Sequence, residues 1–200
     1  MRVGEYDASG FNPPESVPHQ EYTVVKFIKH PRFNLARLDH DLAILTVDKP
    51  IDLSPSTVNS VCLPSCDDQF DFRFNNGTGT RCWVAGWGKN AADGTFQFLQ
   101  HKVDIPLVES GRCNADLRAA INAKKSGVGN KFTLDTSEIC AGGEPGKDAC
   151  TGDGGSPLVC QAQSGRWTVV GLVTWGVGCA SKVPGVYARI TYFKDWINAN

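Results

Sequence analysis

Thirteen residues from Asp148 to Cys160, DACTGDGGSPLVC, gather an acid, two cysteines and a cluster of small residues into one stretch. Its centre is the run Gly152, Asp153, Gly154, Gly155, Ser156, Pro157. Glycines cluster in this way where a backbone must take a positive φ or let another group come close. The N–H groups of such a turn can converge on an oxyanion, which is the chemistry of acyl transfer. A proton-transfer partner for that chemistry is harder to find. His19 precedes Gln20, His30 precedes Pro31, and His40 abuts Asp41. Neighbours on an extended chain point to opposite faces, so Asp41 is not expected to hold the His40 ring. His40 and His101 read as surface residues.

The elements that must position this stretch are constrained first by composition. Two hundred residues with 41% apolar content suffice for a folded unit with a core and exclude a disordered chain. A formal net charge of -1 gives no electrostatic case for nucleic acid or an anionic membrane surface. No apolar run approaches the ~20 residues of a membrane span. Eight cysteines (62, 66, 82, 113, 140, 150, 160 and 179) form no C-x-x-C pair and sit near no histidine at zinc-finger spacing, so no metal site is expected. A disulfide-bonded, secreted protein is the better reading. The polar start, Met1-Arg2-Val3-Gly4-Glu5, is no signal peptide, so the chain reads as an N-terminally incomplete piece of a longer secreted protein.

Turn chemistry dominates up to His19, with Asn12-Pro13-Pro14 and Pro18. Strands are expected at 22–28, 42–47 (a short apolar run read as buried), 82–87, 97–105, 157–160, 166–174 and 185–190. A helix is expected over 110–125, with Leu117, Ala120 and Ile121 on one face, and a second over 192–200, with Phe193, Trp196 and Ile197 turned inward. Many short strands with Gly/Pro turns argue an all-β barrel or sandwich. Asn76-Gly77-Thr78 is a glycosylation sequon; a glycan on Asn76 is one reading, an unused sequon on a polar turn the other. Acids between Glu5 and Glu21 allow a calcium site, although their spacing is not diagnostic, and no other cofactor is expected.

Several motifs together resemble the trypsin/chymotrypsin-like serine proteases. Besides the run at 152–157 these are Asp41-Leu42-Ala43, Cys82-Trp83-Val84-Ala85-Gly86-Trp87-Gly88, Ile139-Cys140-Ala141-Gly142, Thr174-Trp175-Gly176 and Pro184-Gly185-Val186-Tyr187. They stand in family order across nearly the whole chain. The resemblance implies two antiparallel six-stranded β-barrels, residues 1–80 being the remainder of an incomplete first barrel and 81–200 a second barrel with a short C-terminal helix. It implies the disulfides Cys82–Cys160, Cys113–Cys140 and Cys150–Cys179, a choice that spacing alone cannot make among about 105 connectivities. Cys62 matches the residue that ties such domains to an upstream segment; a local Cys62–Cys66 pair is the alternative.

The resemblance also implies roles. Asp41 stands where the family has its orienting aspartate, with a solvated strand-entry acid as the plainer reading. Gly154 stands where the family has its nucleophilic serine, so the nucleophile is missing. Ser156, two residues on, lies ~7 Å along the chain, too far to substitute for a group that must come within ~3 Å of its base. Gly152 would supply an oxyanion-hole N–H. Asp148 would form the base of a pocket for Arg or Lys, walled by Gly176 and Gly185, unless it is an ordinary loop acid. Asp153 would pair in the family with an N-terminal amine made by upstream cleavage; here it is expected to be exposed, hydrogen-bonded to backbone or re-paired, with the pocket loosely formed.

Together with Arg2-Val3-Gly4-Glu5-Tyr6-Asp7 and Cys62-Leu63-Pro64, the glycine at 154 most resembles the clip-domain serine protease homologues of arthropods. That implies a non-catalytic secreted cofactor in an innate-immune protease cascade, assisting prophenoloxidase activation and melanisation. Its partners would be prophenoloxidase or its activating protease, or microbial surface ligands, with neither nucleic acid nor membrane. The competing class is an active endopeptidase cleaving after Arg or Lys, represented by a truncated or misread sequence.

Overall fold

A computed structural model describes residues 1–10, 15–65, 68–72 and 79–200. Six antiparallel strands close into a barrel: β5 (Arg81–Gly86), β6 (His101–Val108), β7 (Glu138–Gly142), β8 (Pro157–Gln161), β9 (Trp167–Trp175) and β10 (Pro184–Arg189). Their order around the wall is β10-β7-β6-β5-β8-β9. The period-2 pattern of a strand explains the core. In β5, Cys82, Val84 and Gly86 are buried and alternate with half-buried Arg81, Trp83 and Ala85. Cys82 and Val84 meet Ile105, Leu107, Ile139, Leu158, Val170 and Tyr187 inside the barrel. Each such side chain contributes roughly 1.5–3 kcal/mol by leaving water.

The helices seal the outside. Helix α1 (Ser110–Lys124) begins where the Glu109 carboxylate accepts hydrogen bonds from Gly111 N and Arg112 N. Its Cys113 and Leu117 are fully buried beside Val108, Cys140 and Val186. Helix α2 (Ile190–Asn198) starts directly from β10 and turns Ile190 and Phe193 into a second cluster with Leu42, Val169 and Ala188. Trp196 and Ile197 pack against that cluster, as their helical spacing predicts.

Where the resemblance implies two barrels, one closes. The described residues of the first 80 form two small sheets, β1 (Arg2–Val3) with β2 (Gln20–Glu21) and β3 (Val24–Lys29) with β4 (Ala43–Val47). Two strands each cannot close a cylinder. The run at 42–47, read as buried, is correspondingly open: Leu42 is buried, but Leu45 is about half exposed, and Val25 and Phe27 opposite it are more exposed still. Residues 97–100 are extended but stay outside β6. Of these, Leu99 pairs with Asp7 in a single bridge, and Phe96 just before them pairs with Lys89. Strand β7 is buried at every position and was not expected as a strand, because Glu138 and Cys140 break the β-branched signature.

All three implied disulfides are present. Cys82 and Cys160 face each other across the β5–β8 ladder, both fully buried, closing a loop of 78 residues. Replacing both by alanine is expected to lower stability by about 2–5 kcal/mol, since the unfolded chain regains the entropy of that loop. Thermal unfolding of the double variant, with the other two bonds intact, measures the loss.

Candidate functional site

The 150–156 turn is set by its own backbone. Asp153 N donates to Cys150 O and Ser156 N to Asp153 O, while Gly155 N and Val173 N exchange bonds with Val173 O and Ser156 O, pinning the turn to β9. The Cys150–Cys179 disulfide fixes the other side. Gly152 has φ +103°, and a Cβ there would come within 2.8 Å of Phe96 Cε1 and 3.2 Å of the Gly88 Cα, so glycine is demanded twice over. Gly154 differs. Its φ lies outside the left-handed range and a Cβ on it would meet nothing within 4 Å. A side chain would fit at 154, and none is there.

Ser156 turns inward. Its Oγ lies where a Cβ on Gly86 would meet it at 3.1 Å. Asp153 fills the adjacent space, its carboxylate accepting from Gly88 N at 2.8 Å and Cys150 N at 3.0 Å. Of the arrangements expected for this acid, the structure has hydrogen bonding to backbone. Gly86 and Gly88 must be glycine because a Cβ on either would strike the Asp153 carboxylate, at 2.0 Å and 2.5 Å respectively.

Asp148, Gly152, Gly154, Gly176 and Gly185 line one cavity of about 410 Å³, together with Trp175, Tyr187 and the Cys150–Cys179 bond. A neighbouring cavity of about 510 Å³ shares Asp148 but is bounded by Gly86, Gly88, Lys89 and Asp153 in place of Gly152 and Gly154. The smaller one therefore holds the residues singled out by sequence. Asp148 Oδ2 accepts from Ala180 N at 3.0 Å. Its Oδ1 faces Gly185, where a Cβ would sit in ordinary van der Waals contact at 3.4 Å. Burial pushes the Asp148 carboxyl up to about 6, against the pull of the Ala180 and Ala149 backbone bonds and with a push from Asp153. The Tyr187 hydroxyl is buried with no protein partner among the described residues, and burial, followed by the nearby carboxylates of Asp148 and Asp153, raises the phenol as well.

The loop bearing Asp148 is clamped to the barrel wall. Arg81 donates to both Glu144 oxygens and, through Nε, to Asp104 Oδ2, while Lys147 Nζ reaches Asp104 Oδ1 at 2.8 Å. Hydrogen bonding to Arg81 holds the Glu144 carboxyl below its ordinary value despite partial burial. The site is thus a braced cavity with an acid in its wall, rather than the loose one expected.

Asp41 does not line this cavity. It is half-buried, and desolvation raises its carboxyl. His40, expected on the surface, is buried at 3% exposure. The surface reading fails because Leu38 and His40 have φ +58° and +55°, which folds the chain back and swings the ring under α2; Asp41, as expected, does not hold it. There His40 Nδ1 lies 3.3 Å from Asp39 Oδ1, and Nε2 lies 3.1 Å from the Tyr192 hydroxyl. The ligand atoms of Asp39, His40 and Asp135 fall within 4.8 Å of one another, a grouping that sequence spacing concealed because Asp135 arrives from the segment before β7. Asp39 is also ion-paired with Arg37, and Asp135 accepts from Ser137 N. His101 is exposed.

In the 5–21 loop, Glu5 pairs with Arg2 and His19, and Glu15 Oε1 accepts from the backbone of Tyr6 and Asp7, so these acids already have partners. Asn76 and Cys66 lie outside the described residues. Cys62 has no disulfide partner among the described ones; its backbone pairs with Trp167 and Val169 at the edge of β9. No helix among the described residues is long and apolar enough to cross a membrane.

A family model described as Trypsin matches residues 2–197. The chain is similar to the Inactive CLIP domain-containing serine protease A3 of Aedes aegypti, 45% identical over 100% of this chain and 39% of that protein. It is 38% identical to Phenoloxidase-activating factor 2 of Galleria mellonella, over 99% of this chain and 62% of that one. It is 35% identical to the Inactive CLIP domain-containing serine protease A28 of Anopheles gambiae, over 98% and 48%. The chain therefore spans roughly two-fifths to three-fifths of these relatives.

The raised Asp148 sets a pH dependence. In the unfolded chain this carboxyl titrates near 3.8 and in the fold near 6, so the native state holds the proton more tightly between those values. The stabilisation is complete below about 3.8 and is lost as pH rises through about 6. Asp148→Asn is therefore expected to be the more stable protein at pH 8, by at most about 3 kcal/mol at ~1.4 kcal/mol per pH unit, with the difference vanishing below pH ~4. Urea titrations of both proteins across that range test it.

Proposed function

The chain belongs to the trypsin family, and within it we propose a non-catalytic serine protease homologue: a secreted binding protein serving as cofactor in an arthropod immune protease cascade that leads to phenoloxidase activation and melanisation. The observation that carries this reading is Gly154. By the resemblance it stands at the place of the family's nucleophile in the 152–157 run, and neither its φ nor its surroundings require glycine. The neighbouring hydroxyl, Ser156, is turned toward Gly86, and no histidine lines the cavity among the described residues. Without nucleophile and base, an acyl-transfer site retains only binding and oxyanion contacts. Two of the relatives carry "inactive" in their names, and a third is named for phenoloxidase activation.

In this reading Asp41 is the vestige of an orienting acid, and the Gly152 N–H is a donor that no longer serves a reaction. Asp148, Gly176 and Gly185 accept an Arg or Lys side chain from a partner protein, such as prophenoloxidase or its activating protease. The bound cation is what the buried carboxylate lacks, because opposite charge stabilises the ionised form that burial disfavours. Microbial surface ligands are a further class of partner, reached through parts of the protein other than this cavity.

The purified protein is expected to hydrolyse no arginyl ester or amide and to take no label from an active-site serine reagent. Gly154→Ser should fold with stability within about 0.5 kcal/mol of the parent, since the side chain meets open space, and should still show no turnover for want of a base. Both proteins should bind p-aminobenzamidine, more tightly as pH rises through about 6, where Asp148 ionises. Serine-dependent turnover by the unaltered chain would overturn the reading.

A further inference from the structure

Three polar side chains from separate stretches of the chain bring their donor atoms together under α2. The ligand atoms of Asp39, His40 and Asp135 lie within 4.8 Å of one another, and Asp39 and His40 are both buried. Each of the three is oriented by a further group. Asp39 Oδ2 takes the Arg37 guanidinium, while its Oδ1 stands 3.3 Å from His40 Nδ1. His40 Nε2 lies 3.1 Å from the Tyr192 hydroxyl, which accepts from Arg32 Nη1 at 2.9 Å. Asp135 Oδ1 accepts from Ser137 N at 2.9 Å. The charge of the group is poorly balanced. Arg37, the cation paired with Asp39, is two-thirds exposed and so offsets little of it. Neighbouring Glu138 feels the excess: burial first, then the charges of Asp135 and Asp39, push its carboxyl up against the pull of the bonds from Trp175 and Asp135 N.

We propose that Asp39, His40 and Asp135 form a structural zinc site, with His40 Nδ1 and one oxygen of each carboxylate as ligands and water in the fourth position. An imidazole with two carboxylates suits zinc, whereas calcium asks for roughly six to eight oxygens and magnesium for an octahedron of them. Donor atoms about 2.1 Å from a tetrahedral zinc stand about 3.4 Å apart. Asp39 Oδ1 and His40 Nδ1 already have nearly that separation. Asp135 has at most about 1.4 Å to close, a small rotation for a side chain that is only half-buried. With zinc on Nδ1, the neutral ring keeps its proton on Nε2 and donates it to the Tyr192 oxygen, the outer bond that fixes a ligating histidine. The ion ties the turn before β4 to the segment before β7 and, through Tyr192, to α2.

Zinc chloride titrated into the unaltered protein, after removal of metal with EDTA, tests the site. Calorimetry should give one zinc per chain, with a rise in the thermal midpoint, and cobalt(II) in its place should show the intense visible bands of a four-coordinate ion. Asp135→Asn should weaken zinc by at least about tenfold and His40→Asn by about a hundredfold. Asp135 is partly exposed, so its variant is expected to fold even where the change at buried His40 disturbs the seam. His19 also stands between two carboxylates, those of Glu5 and Glu21, and serves as the control. His19→Ala should leave zinc affinity within about twofold. Absence of zinc binding, binding undiminished in Asp135→Asn, binding lost in His19→Ala, or an equal rise in midpoint with calcium chloride would each overturn the site.

Discussion

A carboxylate removed from water without a cation beside it is the constraint around which this site is arranged. The Asp148 carboxylate accepts from the backbone of Ala180 and Ala149, and both favour its ionised form less than burial opposes it. A fold keeps such a group only if the surrounding frame prevents collapse onto it. Here the frame is covalent and ionic: the Cys150–Cys179 bond on one side, the Arg81–Glu144 and Lys147–Asp104 pairs on the other. Tyr187 adds to the same cavity a hydroxyl with no protein partner among the described residues. A buried hydroxyl without a partner costs stability, so the frame that keeps the cavity open carries that cost.

Glycine marks two different things within a few residues. At 152, 86 and 88 it is dictated by sterics, since a Cβ would strike Phe96 or the Asp153 carboxylate. At 154 nothing dictates it. The sequence alone shows a glycine-rich run and cannot separate required glycines from permitted ones; only the surroundings do. That separation gives the resemblance its force. A structural glycine at 154 would say little about chemistry, whereas an unforced one means that the side chain was free to be a hydroxyl and is not.

The barrel strands and both helices were legible from local signals, period-2 alternation in β5 and a 3.6-residue stripe in α1 and α2, whereas the three disulfides followed only from the family resemblance, since spacing cannot choose among the pairings. The failures share a different cause. His40 reads as a surface residue in sequence, but left-handed backbone at Leu38 and His40 itself turns its ring inward. Its neighbours in space come from far along the chain, Tyr192 from α2, Asp135 from the approach to β7, and the ring of His30, which stacks on it at 5.4 Å. Burial first, then the charges of His40 and Arg32, keep His30 less basic than an ordinary histidine. Strand β7 was missed for a related reason: Glu138 reads as a surface residue until Trp175 Nε1 and Asp135 N are seen to satisfy it.

These buried polar groups also explain how residues before the barrel stay attached to it. Leu42 contributes apolar contact with Val169 and Phe193, but the β3–β4 ribbon leaves Val25, Phe27 and Leu45 exposed and so gains little from the hydrophobic effect. The seam between these residues and α2 is instead largely aromatic and hydrogen-bonded, with His30 edge-on to Phe193 and Trp196, and the Tyr192 hydroxyl bonded to His40 and Arg32. Such a seam is directional, and it loses more than an apolar one when a single partner is removed, because the group left behind remains buried. The same logic governs the cavity, where one unpaired carboxylate is tolerated by a rigid frame. Under the proposed function, an entering cation would favour the ionised form that burial opposes, with no chemical step required.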